Sequence, residues 1–209
     1  VGFVAVGIGA STGVGGSMGA SVNINTIKNT IDTHISDTKV VSADGVDLDS
    51  ESNADIWALA IAGSVGVGVG QSGGGTGGGT SGGGGAGQGS TGVGVAISGA
   101  ATINVVTNKT RAYIDQGSDI ASAGAITLNA EDNTSILADT GGVSLAVGTG
   151  ERAGVGVAIG GSVAVNVVFN ETLAYIADSV ISAVGEVIVA ALGDSGIWAL
   201  TIAGSLSVG

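Results

Sequence analysis

Large and small residues alternate with a period of two along most of the chain. In residues 154–167 (GVGVAIGGSVAVNV), Val and Ile mostly occupy one set of positions, while Gly, Ala, Ser and Asn occupy the positions between them. Residues 57–70 (WALAIAGSVGVGVG) repeat this alternation. Successive side chains of a β-strand point to opposite faces, so the pattern predicts long strands with one large apolar face and one small face.

The two faces of these strands lead to different expectations. Because burying one Val, Ile or Leu side chain stabilises a fold by about 1.5–3 kcal/mol, we expect the large face to form the core. The small face either points to solvent or lets a second backbone layer approach closely, and the scarcity of charge in the long strands favours close approach. Glycine interrupts the large face at fixed places, which predicts bulges or close backbone contacts at Gly63, Gly99, Gly161 and Gly204.

Three related segments reveal an internal repeat. NTIKNTIDTHI at 25–35 returns as NVVTNKTRAYI at 104–114 and as NVVFNETLAYI at 166–176. This arrangement predicts a single array over 1–209, with a partial unit at 1–12, units at 13–70, 92–150 and 154–209, and a Gly-rich insertion at 71–91. Because the chain begins and ends within the pattern, we expect the array to continue in both directions.

The repeat predicts which residues lie side by side. Equivalent positions should superpose, above all Asn25, Asn104 and Asn166. After the loop region of each unit, Trp57 and Trp198 should be equivalent to Ile136. A ring position should be shared by His34, Tyr113 and Tyr175. Stacked side-chain amides form ladders, which we expect at Asn29, Asn108 and Asn170. The middle copy carries Asp139 and Thr140 in its second long strand, which predicts a register slip or an exposed edge there.

The most specific string in the chain is Asn-x-x-x-Asn-x-Thr-x-Ala-Tyr-Ile, found at 104–114 and 166–176. With residues 154–183 and 197–209 around it, this string resembles the β-strand repeats of large secreted bacterial adhesins, the filamentous-haemagglutinin-like and leukotoxin-like filamentous adhesins. The first copy departs from the string at Thr33 and His34. The pattern itself predicts an all-β fold of long Gly/Ala/Val-rich repeats, and the resemblance implies a parallel β-solenoid (β-helix), export, and a surface or fibre role without catalytic residues.

Composition and charge narrow the classes of partner. The chain has 42 Gly and no Pro or Cys, and its 5 Lys and Arg against 17 Asp and Glu give a net charge of −12. The lack of Pro excludes collagen, and the negative charge argues against nucleic acid and anionic membranes as partners. We expect a secreted, cell-surface protein with no membrane insertion. Its partners should be neighbouring repeats or identical chains, met through the Gly/Ala faces, and host or cell-surface ligands.

Candidate chemistry is sparse, so we expect no enzyme, no catalytic residues and no cofactor. The chain has no Cys, and its only His occupies the ring position that Tyr takes in the other copies. Calcium is the one metal worth weighing, because hard oxygen ligands cluster at Asp44, Asp47, Asp49 and Glu51. Their spacing matches neither an EF-hand nor the Gly-rich nonapeptide repeat, and a solvated turn is the favoured alternative.

Two functions fit these features. The leading hypothesis is a structural or adhesive repeat segment of a very long extracellular bacterial surface protein, forming a rigid rod whose length scales with copy number. The alternative is a self-assembling extracellular fibre or sheath subunit, joined through Gly/Ala faces and unpaired edges. The Gly-rich insertion has no large apolar side chain to bury, so we expect it to lie against β structure, of this chain or of another.

Overall fold

A computed structural model of the chain describes residues 3–9, 12–71 and 89–209. Within these ranges the chain forms strands joined by short turns, and no helix is present. The strands are β1 (Phe3–Gly9), β2 (Thr12–Ser36), β3 (Lys39–Ser42), β4 (Val46–Gly70), β5 (Thr91–Asp115), β6 (Asp119–Ser122), β7 (Ile126–Thr149), β8 (Ala153–Val168), β9 (Glu171–Ile176), β10 (Val180–Ala183) and β11 (Val187–Val208). The predicted all-β fold of long strands is confirmed.

All strand pairs are parallel, and they form three sheets. The front sheet contains β2, β5 and β8 in that order, with β9 also beside β5. The back sheet contains β1, β4, β7 and β11, and the short sheet contains β3, β6 and β10. The chain runs from the front sheet through the short sheet to the back sheet three times, so each pass lies against the next. Equivalent residues of neighbouring passes are therefore about 4.8 Å apart.

Asn25, Asn104 and Asn166 lie in register across the front sheet, as the repeat predicts. Nδ2 of Asn25 donates to Oδ1 of Asn104, and Nδ2 of Asn104 donates to Oδ1 of Asn166, both at 2.7 Å. Asn104 is fully buried. A buried amide must find partners inside the protein, and this ladder supplies them while linking all three passes.

The back sheet corrects one part of the alignment. The middle-pass partner of Trp57 and Trp198 is Leu137, and not Ile136 as the repeat suggested. The shift arises in the turn after β5, which has one more residue than the turn after β2. Gln116 (φ 55°) and Gly117 (φ 77°) both adopt the left-handed region in this turn. Glycine adopts that region without steric cost, so the turn accommodates the extra residue.

The small face lines the space between the front and back sheets, so our expectation that the large face forms the core is wrong for these strands. On β4, Ala58 is 0% and Ala60 is 1% exposed, whereas Trp57 is 77% and Ile61 is 62% exposed. The alternative that the small face points to solvent is wrong for the same reason. The Gly/Ala face is thus used between the sheets of one chain and is not free to meet another.

Glycine brings the two sheets together at one end of the strands. A Cβ built on Gly68 would overlap the carbonyl oxygen of Val93 on the front sheet, and one built on Gly66 would overlap that of Val95. Sheets that interleave larger side chains pack about 10 Å apart. Val or Ile on the inner face would force that wider spacing, so the close approach requires the small residues to point inward.

The largest buried side chains lie at the opposite end, next to the short sheet. Ile114, Ile120, Ile126 and Leu128 are all 0% exposed and belong to one apolar cluster. The front, back and short sheets meet around this cluster, and its larger side chains fill the wider space between them. The interior is therefore graded, from glycine at one end of the long strands to Ile and Leu at the other.

The glycines of the outer faces are not bulges and do not contact other backbone closely. Gly99 pairs in unbroken register with Ala20 and Gly161. A Cβ built on Gly99, Gly161 or Gly204 would meet no atom within 4 Å. At Gly63 the nearest atom, the carbonyl oxygen of Val143, would lie at 3.9 Å, an ordinary contact distance. No contact within the described part of the chain requires glycine at these positions.

The middle copy keeps its register despite its polar residues. Asp139 pairs with Leu59 and Leu200, and β7 lies between β4 and β11 inside the back sheet. The expected register slip or exposed edge at Asp139 and Thr140 is therefore wrong. Paired strands on both sides of β7 fix its register.

The flank of the Gly-rich insertion is anchored in the fold. The hydroxyl of Ser90, which is fully buried, donates to the carbonyl of Gly70 at 2.8 Å. The backbone N–H of Arg152 donates to the carbonyl of Ser90 at 2.9 Å, and that of Glu151 donates to its hydroxyl at 3.2 Å. The predicted packing of the insertion at 71–91 concerns mainly residues 72–88, which lie outside the described residues.

Candidate functional site

The outer faces of the two long sheets carry rows of exposed large apolar side chains. Because the inward positions hold small residues, the Val, Ile, Leu and Trp residues of the same strands point outward. We define the front apolar face by outward residues that are 37–68% exposed, namely Val14, Met18, Val22, Ile24, Ile97, Ile103, Val155, Val157, Ile159, Val163 and Val165. The back apolar face includes Trp57, Leu59, Ile61, Leu137, Val143, Trp198, Leu200, Ile202 and Leu206.

Charged residues are concentrated in the half of each long strand that lies toward the short sheet, which we call the charged half. The other half, which we call the apolar half, consists of residues 12–24, 57–70, 91–103, 137–149, 153–165 and 198–208. Asp139 is the only charged residue in those ranges. Glu151 and Arg152 lie in the turn at that end, and all other Asp, Glu, Lys and Arg residues lie toward the short sheet. Continuous apolar surface on this scale marks an interaction site in soluble proteins.

The four calcium candidates are spread along the chain and do not converge. Asp44 lies in the bend between β3 and β4, where its backbone N–H donates to the hydroxyl of Ser42 at 3.3 Å. Asp47, Asp49 and Glu51 occupy alternate positions of β4, about 6.6 Å apart along the strand. In the described ranges no group of three or more His, Cys, Asp or Glu residues is arranged to hold a metal ion. The structure therefore gives the calcium hypothesis no common ligand set.

The ring position of the repeat forms a stack on the outside of the front sheet. The ring centroids of His34 and Tyr113, and those of Tyr113 and Tyr175, are 5.0 Å apart with interplanar angles of 7°. The guanidinium of Arg111 lies 5.9 Å from the centroid of the Tyr113 ring. These contacts confirm that His34 occupies the Tyr position, where it packs against the ring of Tyr113.

Among the described residues, three ion pairs join neighbouring passes in the half of the strands that lies toward the short sheet. Arg111 pairs with Asp32 through two hydrogen bonds of 2.8 and 2.9 Å, Lys39 with Asp119 at 2.7 Å, and Lys109 with Glu171 at 3.2 Å. The hydrogen bond from Arg111 lowers the pKa of Asp32 below its usual value. The same bond raises the pKa of Arg111. Because each pair joins residues in register, the pairs favour the correct alignment of the passes.

Burial has a separate effect on the outermost ring of the stack. Desolvation raises the pKa of Tyr175, and the negative charge of Asp115 raises it further. Both effects favour the neutral phenol. Tyr175 therefore stacks on Tyr113 as the neutral phenol.

A polar cluster inside the fold is the feature that sequence reasoning missed. Asp132 is fully buried, and its Oδ1 accepts hydrogen bonds from the hydroxyl of Thr134 at 3.0 Å and from Nδ2 of Asn170. Oδ1 of Asn170 accepts from the backbone N–H of Asn108 at 3.1 Å. This arrangement replaces part of the amide ladder expected at Asn29, Asn108 and Asn170. Once the small face is known to point inward, the alternation along β7 places Asp132 on that inward face, and this is the signal that the sequence contains.

The polar clusters offer hydrogen bonds and ion pairs, and the outer faces offer apolar contact.

Among the described residues no helix is long and apolar enough to span a membrane. Comparisons with protein-family models, with curated proteins and with solved structures found no match to this chain. The resemblance to filamentous adhesins therefore stays a prediction from the sequence.

Proposed function

We propose that this chain is a structural or adhesive repeat segment of a very long extracellular bacterial surface protein, and that it is not an enzyme. In this proposal its three passes are turns of a parallel β-solenoid. The observation that carries the proposal is the in-register stacking of the passes, in which each long strand pairs with its equivalent in the next pass. Such an array buries its interior pass by pass and can lengthen by adding units.

The dimensions suit a broad, stiff element. A strand of 25 residues such as β4 extends about 80 Å, while each pass adds about 4.8 Å in the direction of stacking. The element is therefore a wide ribbon at low copy number and becomes rod-like only with many units. Cross-pass hydrogen bonds, the amide ladder and the ion pairs all resist bending between passes.

Inserting copies of residues 91–152 after residue 152, which keeps the 62-residue register and the turn between β7 and β8, tests the architecture. Five additional copies should lengthen the particle by about 24 Å in the stacking direction and leave its width unchanged, measured by small-angle X-ray scattering and electron microscopy. Growth of the particle in all dimensions, or separate globules joined by linkers, would refute the repeat architecture. Labelling of intact producing cells with antibodies to the chain, before and after surface proteolysis, tests the extracellular location.

A self-assembling fibre or sheath subunit is the second candidate. Within the described residues, β2 and β11 pair on one side only, so both present unpaired backbone groups. Such edges can template the addition of another chain. The Gly/Ala faces are occupied inside the chain, so identical chains would meet through these edges or through the outer apolar faces. Growth of filaments from purified chain under native conditions would favour this candidate over a monomeric segment.

A further inference from the structure

We infer that the front apolar face binds the same face of a second copy of this chain, with the strands of the two copies antiparallel. This inference does not depend on the proposed function, because it concerns lateral pairing and not the growth of the array. It rests on the extent of the face, on the distribution of charge and on the outward glycines.

The size of the front apolar face matches a weak but specific interface. Its three strands carry no charged residue from Val93 to Val105 or at the equivalent positions of β2 and β8. Thirteen residues of three strands cover about 600 Å², from the rise per residue and the strand spacing. Two copies would bury about 1,200 Å² together, the lower limit for specific association. We therefore expect a reversible dimer.

Charge decides the relative direction of the two copies. Each chain carries a net charge of −12, located mainly in the half that lies toward the short sheet. Lys109 and Arg111 of β5 lie on the outer face of the front sheet in that half. In a parallel pair centred on β5 each would lie opposite the same residue of the other copy across about 10 Å, close to the screening length of about 8 Å in physiological salt, and the like charges would repel. In an antiparallel pair the two charged halves point in opposite directions, many screening lengths apart.

The position of the two-fold axis follows from the outward glycines. Ala20, Gly99 and Gly161 form one row across the front sheet, at the midpoint of the uncharged stretch. The strand pairing at this row is unbroken, so the glycines are required neither by a turn nor by a bulge. A close contact inside the chain is also excluded, because a Cβ at Gly99 or Gly161 would meet nothing within 4 Å. A glycine in a strand also marks the close approach of another backbone. An axis along this row places Ile97 of one copy against Ala101 of the other.

The back apolar face is a poorer surface for the same purpose. Asp139 lies in its middle strand between Leu59 and Leu200, and one of its carboxylate oxygens is buried without a hydrogen-bond partner. Pairing this face with a second copy would bury the carboxylate further with no cation opposite it, which is costly. The back face also carries both tryptophans of the chain, which makes it a spectroscopic reference.

Filling the glycine row tests the proposal, using sedimentation equilibrium of the full chain. The double substitution Gly99→Leu and Gly161→Leu adds apolar area to the front face, yet it should weaken dimerisation at least tenfold because it blocks the close approach. The matched control, Gly63→Leu and Gly204→Leu on the back face, should leave the dimerisation constant within about twofold. Both pairs of sites have room for a Cβ in the chain's own fold, and circular dichroism should confirm that both variants fold.

Two further readouts distinguish the face and the direction. Tryptophan emission should not change as the dimer forms, because Trp57 and Trp198 lie on the other side. Dyes attached to Ala43→Cys, at the charged end of a chain without other cysteines, should show little energy transfer within the dimer. A chain that stays monomeric, association that is insensitive to the front-face substitutions, a blue shift of the emission on association, or strong energy transfer would each overturn the proposal.

Discussion

At each inward position of the long strands, the distance between the front and back sheets sets the size of side chain that fits. Near the glycine end the backbone of one sheet lies where a side chain of the other would be, as at Gly68 and Val93. Near the short sheet the same interior accommodates Ile114 and Leu128. A single residue is therefore tolerated or rejected according to its place along the strand, even where its neighbours in sequence look alike.

Substitutions at two adjacent residues of β4 should change the free energy of unfolding by very different amounts. Ala58→Leu should destabilise the chain by about 1–3 kcal/mol or more, because the interior has no room for the added atoms. Leu59→Ala should change stability by less than about 0.5 kcal/mol, since Leu59 is exposed. Urea unfolding followed by circular dichroism measures both. Equal losses from the two variants would show that the large face is buried after all.

The buried amide ladder should depend most on its central member. Asn104→Ala removes the acceptor of Asn25 and the donor to Asn166, and we expect a loss of about 2–3 kcal/mol from the unpaired groups. Asn25→Ala is the matched control at the partly exposed end of the ladder, where a loss of about 1 kcal/mol or less is expected. The free energy of unfolding in urea gives both values, and a central loss no larger than the terminal one would contradict this account.

At the scale of strands, the repeat in the sequence was enough to predict much of the fold. The three Asn residues of the ladder and the rings at His34, Tyr113 and Tyr175 fall in register because stacking equal units places equal residues together. The predicted alignment of the back sheet is wrong by one residue, with Ile136 in place of Leu137. The additional residue lies in the turn after β5, and a period-two pattern of strand residues contains no mark of it.

The direction of the faces could not be predicted from alternation alone. A period of two shows that the faces differ, and hydrophobic burial then favours the Val face as the core. The structure buries Ala58 and exposes Trp57, and the two sheets approach so closely along β4 that a side chain at Gly66 or Gly68 would overlap the opposite backbone. The burial of Asp132 could not be predicted for the same reason. Asp132 belongs to the small face of β7, and the hydrophobic pattern places that face on the outside whereas the structure places it inside.

The ion pair between β2 and β5 should make the stability of their contact depend on pH. Because Arg111 lowers the pKa of Asp32 below its ordinary value of 3.8, the stabilisation is present above that value and is lost as the pH falls through the lowered pKa. Its size should not exceed about 1 kcal/mol, as the pair is partly exposed. The stability difference between the native chain and Asp32→Asn, measured by urea unfolding, should therefore shrink below pH 3.8.

The control for this pH effect is the same comparison in chains that carry Arg111→Gln. There the difference between Asp32 and Asp32→Asn should vary less with pH, since the cation that lowers the pKa is gone. An unchanged pH dependence in that background would assign the effect to other groups.

For the whole molecule, stability should rise toward the middle pass. The strands β5 and β7 are paired on both sides, whereas β2 and β11 are paired on one side within the described residues. Amide hydrogen exchange should therefore be slowest in β5 and β7 and faster in β2 and β11, because the outer passes can open without the middle one. Mass spectrometry of exchanged peptides measures this order. Uniform protection across the three passes would instead indicate a single cooperative unit.

The stacking of passes also determines how the molecule would respond to tension. Each pass bonds only to its neighbours, so a pull along the stacking direction detaches one pass at a time. A detached pass of the size that separates Asn104 from Asn166, 62 residues, would extend by about 200 Å. It occupied about 4.8 Å while folded. A surface protein built this way would lengthen in steps under shear, and each step would dissipate energy before the anchorage at either end failed.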